Sequence, residues 1–449
     1  MDKSCVEFVK KLSRIAAPIV MQQIINIGVN VSDGIMVGKL KETVISGVSI
    51  SNQFYMIFQI FCLGLGGGAA VIIGQFWGRK DKEAAKKTIT FSIWICAITA
   101  LVFSVISWFI PDKILSLFIS NTEVIEAGRI YLSFLAFAYV FQGISLVLTI
   151  SYRAAGILWI SFISSFVSFV LNLLFNWILI FGKFGMPSLG AKGAAIATVI
   201  SRIAEFLIVA GYILFVEKKV GYRIKDIFKS CKGIGGSFKK FALPVIISDV
   251  MLQLGNNVTL SIMGHMPESK TVLSANEITM VMMQISTFMI FGVASAASVM
   301  TGNAIGENAG EKVVCYAKRF VYTGIATGVF AALAILLCNP YIISLYNVDS
   351  ATVRCAYSLM RAMEFLVVFQ SVSSVLTKGV LRGAGDTKAV MLLDVFALWG
   401  FSVPVGFVCG MVLKMSPFWV YLIIKFDVVI KTVWSLGRIR GRRWIRKVE

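Results

Sequence analysis

Residues 48–74 read VSISNQFYMIFQIFCLGLGGGAAVIIG and contain no Asp, Glu, Lys or Arg. Coiled as a helix at ~1.5 Å per residue, this run is about 40 Å long, longer than the ~30 Å hydrocarbon core of a bilayer. Charge returns at once in Gln75-Phe-Trp-Gly-Arg-Lys-Asp81. An apolar run of spanning length ended by cations is the mark of a transmembrane helix. The same alternation predicts helices at roughly 14–36, 48–74, 89–110, 130–151, 159–181, 192–215, 241–263, 273–300, 317–338, 357–377, 389–411 and 417–437. The glycines at Gly64-Leu-Gly-Gly-Gly68 lie in mid-helix with no Lys-Ser/Thr behind them. They are therefore expected to admit a neighbouring helix, not a phosphate.

The composition agrees, at 57% hydrophobic and 15% charged over 449 residues, with a mean hydropathy of +0.83. A soluble domain needs far more polar surface. The net charge of +20 falls in the gaps between apolar runs, so nucleic acid is not an expected partner. Of eight Cys, Cys62, Cys96, Cys338 and Cys409 sit inside apolar runs, and no CxxC pair exists, which points away from a disulfide framework or a zinc site. His265 is the sole histidine, which excludes a multi-His metal site and most embedded-enzyme chemistries. The polar start, Met1–Lys11, followed by a full-length apolar run, does not read as a cleavable leader.

The Lys/Arg pattern sets the expected direction. Lys3, Lys10, Lys11 and Arg14 precede the first helix, and only Lys39 and Lys41 follow it. Arg79, Lys80, Lys82, Lys86 and Lys87 fill the next gap; eight Lys/Arg occupy 217–240, and Arg438, Arg440, Arg442, Arg443, Arg446 and Lys447 mark the tail. Rich and poor gaps alternate, which puts both termini and the 217–240 linker in the cytoplasm and the basic tail near anionic headgroups.

Three features recur in order. Pro18 returns as Pro244, Gly74-Gln-Phe-Trp-Gly78 as Gly302-Asn-Ala-Ile-Gly306, and Arg153-Ala-Ala-Gly156 as Arg382-Gly-Ala-Gly385, at offsets of 226, 228 and 229. An even number of helices per half gives both halves one orientation. The expected fold is therefore an all-α membrane protein of about twelve transmembrane helices, in two six-helix bundles related by a pseudo-two-fold axis along the membrane normal. The domains are expected at 1–216 (N-terminal bundle), 217–240 (basic linker), 241–437 (C-terminal bundle) and 438–449 (basic tail). Pro18 and Pro244 each free a backbone carbonyl early in the first helix of a half, which makes them candidate hinges.

These residues carry a resemblance to the multidrug and toxic compound extrusion (MATE) family along essentially the whole chain. Pro18…Asp33-Gly-Ile-Met-Val-Gly38 resembles the family's opening motif, and Gln75–Asp81 its cytoplasmic motif after the second helix. Leu171-Asn172…Asn176-Trp177…Gly182…Pro187…Gly193–Thr198…Ser201-Arg202 resembles its fifth and sixth helices, and Leu381–Lys388 the loop after its tenth. The resemblance implies cation-coupled antiport of drugs and other organic compounds out of the cell. Some members carry acidic residues on the seventh and tenth helices; here those places hold about Leu252 and Ser371.

An ionisable group in a bilayer costs at least ~2.5–3.5 kcal/mol, so each asks for a reason. Counted from the helix entries, Asp33 lies about 28 Å along the first helix, Asn172 and Asn176 about 20–26 Å along the fifth, and Thr198 about 9 Å into the sixth. All four then fall in the outer half of the membrane. A carboxylate, two amides and a hydroxyl compose a site for a proton or for sodium as a bound metal ion, and the resemblance supports the same positions. In the second half, Thr259, Phe401 and Val405 stand where Asp33, Asn172 and Asn176 stand in the first, so coupling should be asymmetric. Arg202 and Glu205, and Asp427 and Lys431, are spaced to pair. Met21, Met36 and Tyr55 suit a plastic, cation-tolerant cleft, with Asp249, Glu277, Glu364 and Asp394 as weaker acidic candidates.

The expected function is a secondary antiporter exporting drugs or organic, often cationic, compounds from the cell membrane in exchange for protons or sodium. It would work as a monomer, with no cofactor and no enzymatic activity. The alternative is a flippase for lipid-linked precursors, which would favour a cleft lined with Arg and Lys.

Overall fold

The computed structural model describes residues 3–346 and 348–448; residues 1–2 and 449, the extreme ends of the expected N-terminal bundle and tail, lie outside it. Among the described residues there are helices and no strand. The order is α1 (Lys3–Val37), α2 (Glu42–Gly78), α3 (Lys82–Phe109), α4 (Pro111–Ser116), α5 (Thr122–Leu135), α6 (Ala138–Ala154), α7 (Trp159–Phe181), α8 (Gly190–Gly211), α9 (Ile234–Gly264), α10 (Ser269–Gly306), α11 (Gly310–Ser344), α12 (Ser350–Ser374), α13 (Thr387–Val395), α14 (Val403–Phe407), α15 (Pro417–Ile424) and α16 (Asp427–Arg440). Of the described residues, ten helical stretches are long and apolar enough to cross a membrane, eleven if α5 and α6 count as one.

Two differences from the expected spans have visible causes. The fourth expected span is α5 and α6, bent by 55° at a point with neither Pro nor Gly; there the Ser104 hydroxyl donates to the Ala136 carbonyl at 2.7 Å. The twelfth is two short helices, α15 and α16, broken beside Lys425 and Asp427. α1 and α9 run helical through Pro18 and Pro244.

Contacts divide the chain into two compact units. The N-terminal unit is Met21–Ile73 with Asp81–Gly236; the C-terminal unit is Met1–Val20, Gly74–Lys80 and Ser237–Glu449. In the N-terminal unit the glycine-rich part of α2 meets α6: a Cβ on Gly66 would lie 2.8 Å from Ile150 Cδ1, so that close contact requires glycine. α7 ends at Gly182, whose φ of +66° favours a residue without Cβ. The 217–233 linker is not loose chain. Glu217 accepts the backbone N–H groups of Lys219, Val220 and Gly221, the Trp94 indole donates to the Ile227 carbonyl at 3.0 Å, and Thr90 shares a 2.6 Å hydrogen bond with Tyr222. Buried Asp226 bonds Lys229 at 2.6 Å. Burial would raise its pKa, but Lys229, the Arg223 N–H and Lys86 together hold it below the ordinary carboxylate value.

The C-terminal unit is built on an apolar core that includes Ile262, Met282, Ile335, Met360 and Val420. Its last helices are irregular, with π-helical turns at Val375–Leu381, Phe396–Ser402 and Val408–Val412. In this unit the end of α2 meets the end of α10 with no room to spare. A Cβ on Gly78 would fall 2.2 Å from the Asn303 carbonyl oxygen, and one on Gly306 would fall 2.1 Å from that of Gln75. These glycines belong to the two copies of the repeated Gly-x-x-x-Gly segment.

Candidate functional site

Asp33 stands near the end of α1, half-buried. The 3.6-residue period of α7 sets Asn172 and Asn176 one above the other, and both are buried. Asn176 Nδ2 donates to Asp33 Oδ1 at 2.6 Å and to Asn172 Oδ1 at 3.1 Å. A carboxylate accepts only, so the amide nitrogen faces it, and Asn176 Oδ1 is left buried without a partner. Thr198, on α8, donates to the Ala194 carbonyl at 3.0 Å and keeps its lone pairs. Tyr131, on α5, lies beside Thr198 and donates to Asn52 Oδ1 at 3.3 Å. The structure therefore links Asp33, Asn172 and Asn176 directly, with Thr198 on α8, which packs along α7. A carboxylate, an orphaned amide oxygen and a free hydroxyl lone pair form an oxygen-rich donor set suited to a proton or a small hard cation.

Two members of this surrounding were not singled out as site residues in the sequence. Arg202 interacts electrostatically with Asp33 while bonding Glu205 at 2.9 Å, the pairing its spacing suggested. Its signal was present, since it lies one turn beyond Thr198 on the same face of α8. Tyr131 gave no signal, because α5 is remote in sequence. Glu205 continues a polar chain across three other helices: Ser165 Oγ lies 3.4 Å from Glu205 Oε1, Gln22 Nε2 donates to Ser165 at 3.0 Å, and Arg153 Nη2 donates to Gln22 at 2.8 Å.

The acidic candidates of the C-terminal unit are largely occupied. Arg382 grips both oxygens of Asp249, at 2.6 and 3.2 Å, and contacts Ser248 at 3.2 Å. Ser248 donates to buried Asp394 at 2.6 Å, and Lys431 bonds Asp394 at 3.3 Å and Asp427 at 2.7 Å. Glu364 accepts from Asn339 at 2.8 Å, whereas Glu277 is exposed on α10. Tyr55 is buried and bonds Gln142 at 2.5 Å; Met21 is exposed and Met36 half-buried. Thr259, the repeat equivalent of Asp33, donates to the Asn256 carbonyl, and Ser371, where some family members carry an acid, donates to that of Gly324. The Arg153–Gln22 and Arg382–Ser248 contacts occupy matching places of the repeat, at offsets of 229 and 226. The first lies beside a neutral residue, Gln23, and the second beside an acid, Asp249.

The comparisons fit this duplicated, all-helical arrangement. The MatE family model matches the chain twice, at residues 18–178 and 244–408. The chain is 24% identical over 380 residues to the probable multidrug resistance protein YoeA of Bacillus subtilis, covering 83% of this chain and 81% of that one. It is 23% identical to the multidrug resistance protein PmpM of Pseudomonas aeruginosa, covering 90% and 84%. Its fold matches an outward-facing multidrug resistance MATE family transporter with a TM-score of 0.87 at 18% identity, covering 97% and 96%. It also matches the eukaryotic MATE transporter AtDTX14 with a TM-score of 0.87 at 20% identity, covering 98% and 97%. With the family model covering both halves, this chain belongs to the MatE family of membrane transporters.

Proposed function

We propose that this chain is a secondary antiporter that exports drugs or organic, often cationic, compounds across the cell membrane in exchange for protons or sodium ions. Asp33, Asn172, Asn176 and Thr198 form its coupling site. The observation that carries this reading is the 2.6 Å bond from Asn176 to Asp33, a carboxylate in a membrane-crossing helix. The multidrug resistance names of its relatives support the substrate class.

The geometry suggests how the site changes state. Charged Asp33 accepts from Asn176 Nδ2. Protonated, it becomes a donor and needs an acceptor; turning the Asn176 amide over presents its orphaned Oδ1. Sodium would draw on the same oxygen, with the Thr198 hydroxyl as a further candidate donor. In either case neutralising Asp33 releases Arg202 from its influence, and the Arg202–Glu205–Ser165–Gln22–Arg153 chain carries the change across α8, α7, α1 and α6. On this reading both termini and the linker are cytoplasmic, the bundles are 1–216 and 241–437, and Pro18 and Pro244 are the hinge points.

Exchange of one proton for one monovalent cation moves no net charge. The membrane potential, worth ~2.3 kcal/mol per charge per 100 mV, then contributes nothing. The test is ethidium flux in proteoliposomes with a pH, a sodium and a potassium–valinomycin gradient imposed separately. Uphill flux is expected under a pH or sodium gradient and little under voltage alone. Flux indifferent to both chemical gradients would overturn the reading.

A further inference from the structure

The tail after α16 is basic, which suggests a chain solvated or lying on headgroups. The structure leaves Arg442, Arg443, Arg446 and Lys447 exposed but folds the segment against the protein. Trp444 and Val448 are fully buried, and both belong, with all their partners, to the C-terminal unit. The tail turns at 441–444, where the Ile445 N–H donates to the Arg442 carbonyl at 3.2 Å, and its last described residues lie against the end of α2. Gln75, itself fully buried, reads the tail backbone with both ends of its amide: Nε2 donates to the Arg446 carbonyl at 3.0 Å, and the Val448 N–H donates to Oε1 at 2.8 Å. Arg79 donates to the Val448 carbonyl. On the other side the Arg446 N–H donates to the Ala384 carbonyl at 2.9 Å. Asp386, with no exposed surface, accepts from Arg438 at 2.9 Å and pairs with Arg446 at 2.9 Å. A Cβ on Gly385 would lie 2.8 Å from the Arg446 carbonyl oxygen, and the φ there is +81°, so the Gly-Ala-Gly turn is shaped to let the tail pass.

We propose that Gln75, Arg79, Ala384 and Asp386 form a binding site for a basic peptide segment, and that residues 441–448 are its resident ligand, a latch on the end of α2. Three features support a latch over a static terminus. The site reads backbone and charge, the chemistry of peptide recognition. Its anchor, Gln75, belongs to the repeated Gly74–Gly78 segment; the matching position in Gly302–Gly306 is Asn303, and Gly78 packs on the Asn303 carbonyl. The latch therefore clasps the place where the two repeat copies touch. Finally, residues 42–73 of α2 belong to the N-terminal unit and 74–80 to the C-terminal unit, so a motion that bends or withdraws the end of α2 has to break the tail contacts.

The test places a single cysteine at Val448 in a chain without other accessible cysteines. Its labelling by a maleimide is followed in detergent and in proteoliposomes. In the resting protein, labelling is expected to be slow, and Gln75→Ala, which removes two hydrogen bonds, should speed it about tenfold or more. That comparison stands whatever the protein transports. Under an imposed pH or sodium gradient with ethidium present, labelling should accelerate as the latch opens. A second variant, Ala384→Cys with Arg446→Cys, oxidised to a disulfide, should stop ethidium flux, and reduction should restore it. Equal labelling of resting protein and Gln75→Ala would overturn the peptide site. Unchanged labelling during flux, or full flux by the cross-linked protein, would overturn the latch while leaving antiport intact.

Discussion

Gly78→Ala is the sharpest perturbation the packing offers. The added carbon falls 2.2 Å from the Asn303 carbonyl oxygen and 2.8 Å from Gly306 Cα. Ordinary contact begins near 3.4 Å, so the two helix ends must part by about 1 Å. Both opposing atoms are backbone, and no rotamer change relieves the clash. Overpacking of this kind costs ~1–3 kcal/mol, which disfavours the packed arrangement about 5- to 150-fold. The assay is pulsed electron–electron resonance between spin labels at exposed Lys80 and Asn308, which flank the contact. The short-distance component should shrink in Gly78→Ala and again in Gly306→Ala, whereas Gly437→Ala, a site with open space around it, should leave it unchanged. Identical distance distributions and thermal stability for all three would refute the close-packing argument.

Asp249→Ala takes from the buried Arg382 guanidinium its 2.6 Å partner, leaving it Asp394 at 3.8 Å and Ser248 at 3.2 Å, and should destabilise the protein by ~1–3 kcal/mol, read as thermal unfolding in detergent; an unchanged midpoint would show the pair to be idle. Asp226→Asn should loosen the linker, seen as faster tryptic cleavage between residues 217 and 233. Because the Asp226 pKa is lowered on folding, its contribution is present above the unfolded value of ~3.9 and is lost as pH falls through the folded value. Linker protection should thus be flat from neutral down to mildly acidic pH and fail only in strong acid; loss beginning near neutrality would contradict the assignment. A cysteine introduced at Lys225 should react with an impermeant maleimide in inverted vesicles but not in intact cells, and reaction in intact cells would reverse the proposed orientation.

The repeat was legible because Pro18/Pro244, the Gly-x-x-x-Gly segments and the Arg-containing turns keep one spacing, and the MatE model matches the two halves at the same interval. The Asn172–Asn176 pairing was legible because it needs only the period of one helix. The meeting of Asn176 with Asp33 was an inference from depth, since helix entries and a ~1.5 Å rise fix height but not rotation. Tyr131 was out of reach for that reason: nothing in α5 announces which way it faces. The break between α5 and α6 carries no Pro or Gly, and the Ala136 carbonyl there accepts from Ser104, a tertiary partner. The π-helical turns after Ser374 likewise follow from packing. The docking of the tail was not legible. Its six Lys and Arg read as a headgroup-facing run, and five of them stay exposed, but the burial of Trp444 and the contacts of Asp386 and Gln75 depend on a carboxylate and an amide far away in sequence.

In the proposed mechanism one carboxylate, Asp33, couples ion to substrate. That role is tested most directly by Asp33→Asn, reconstituted beside the unsubstituted chain and matched for insertion and thermal stability, with ethidium flux measured under an imposed pH gradient and, separately, a sodium gradient. The account predicts that uphill flux disappears in Asp33→Asn under both gradients, while Asn176→Ala, which removes a neutral partner, retains reduced but gradient-dependent flux. Full gradient-driven flux by a well-folded Asp33→Asn protein would contradict it.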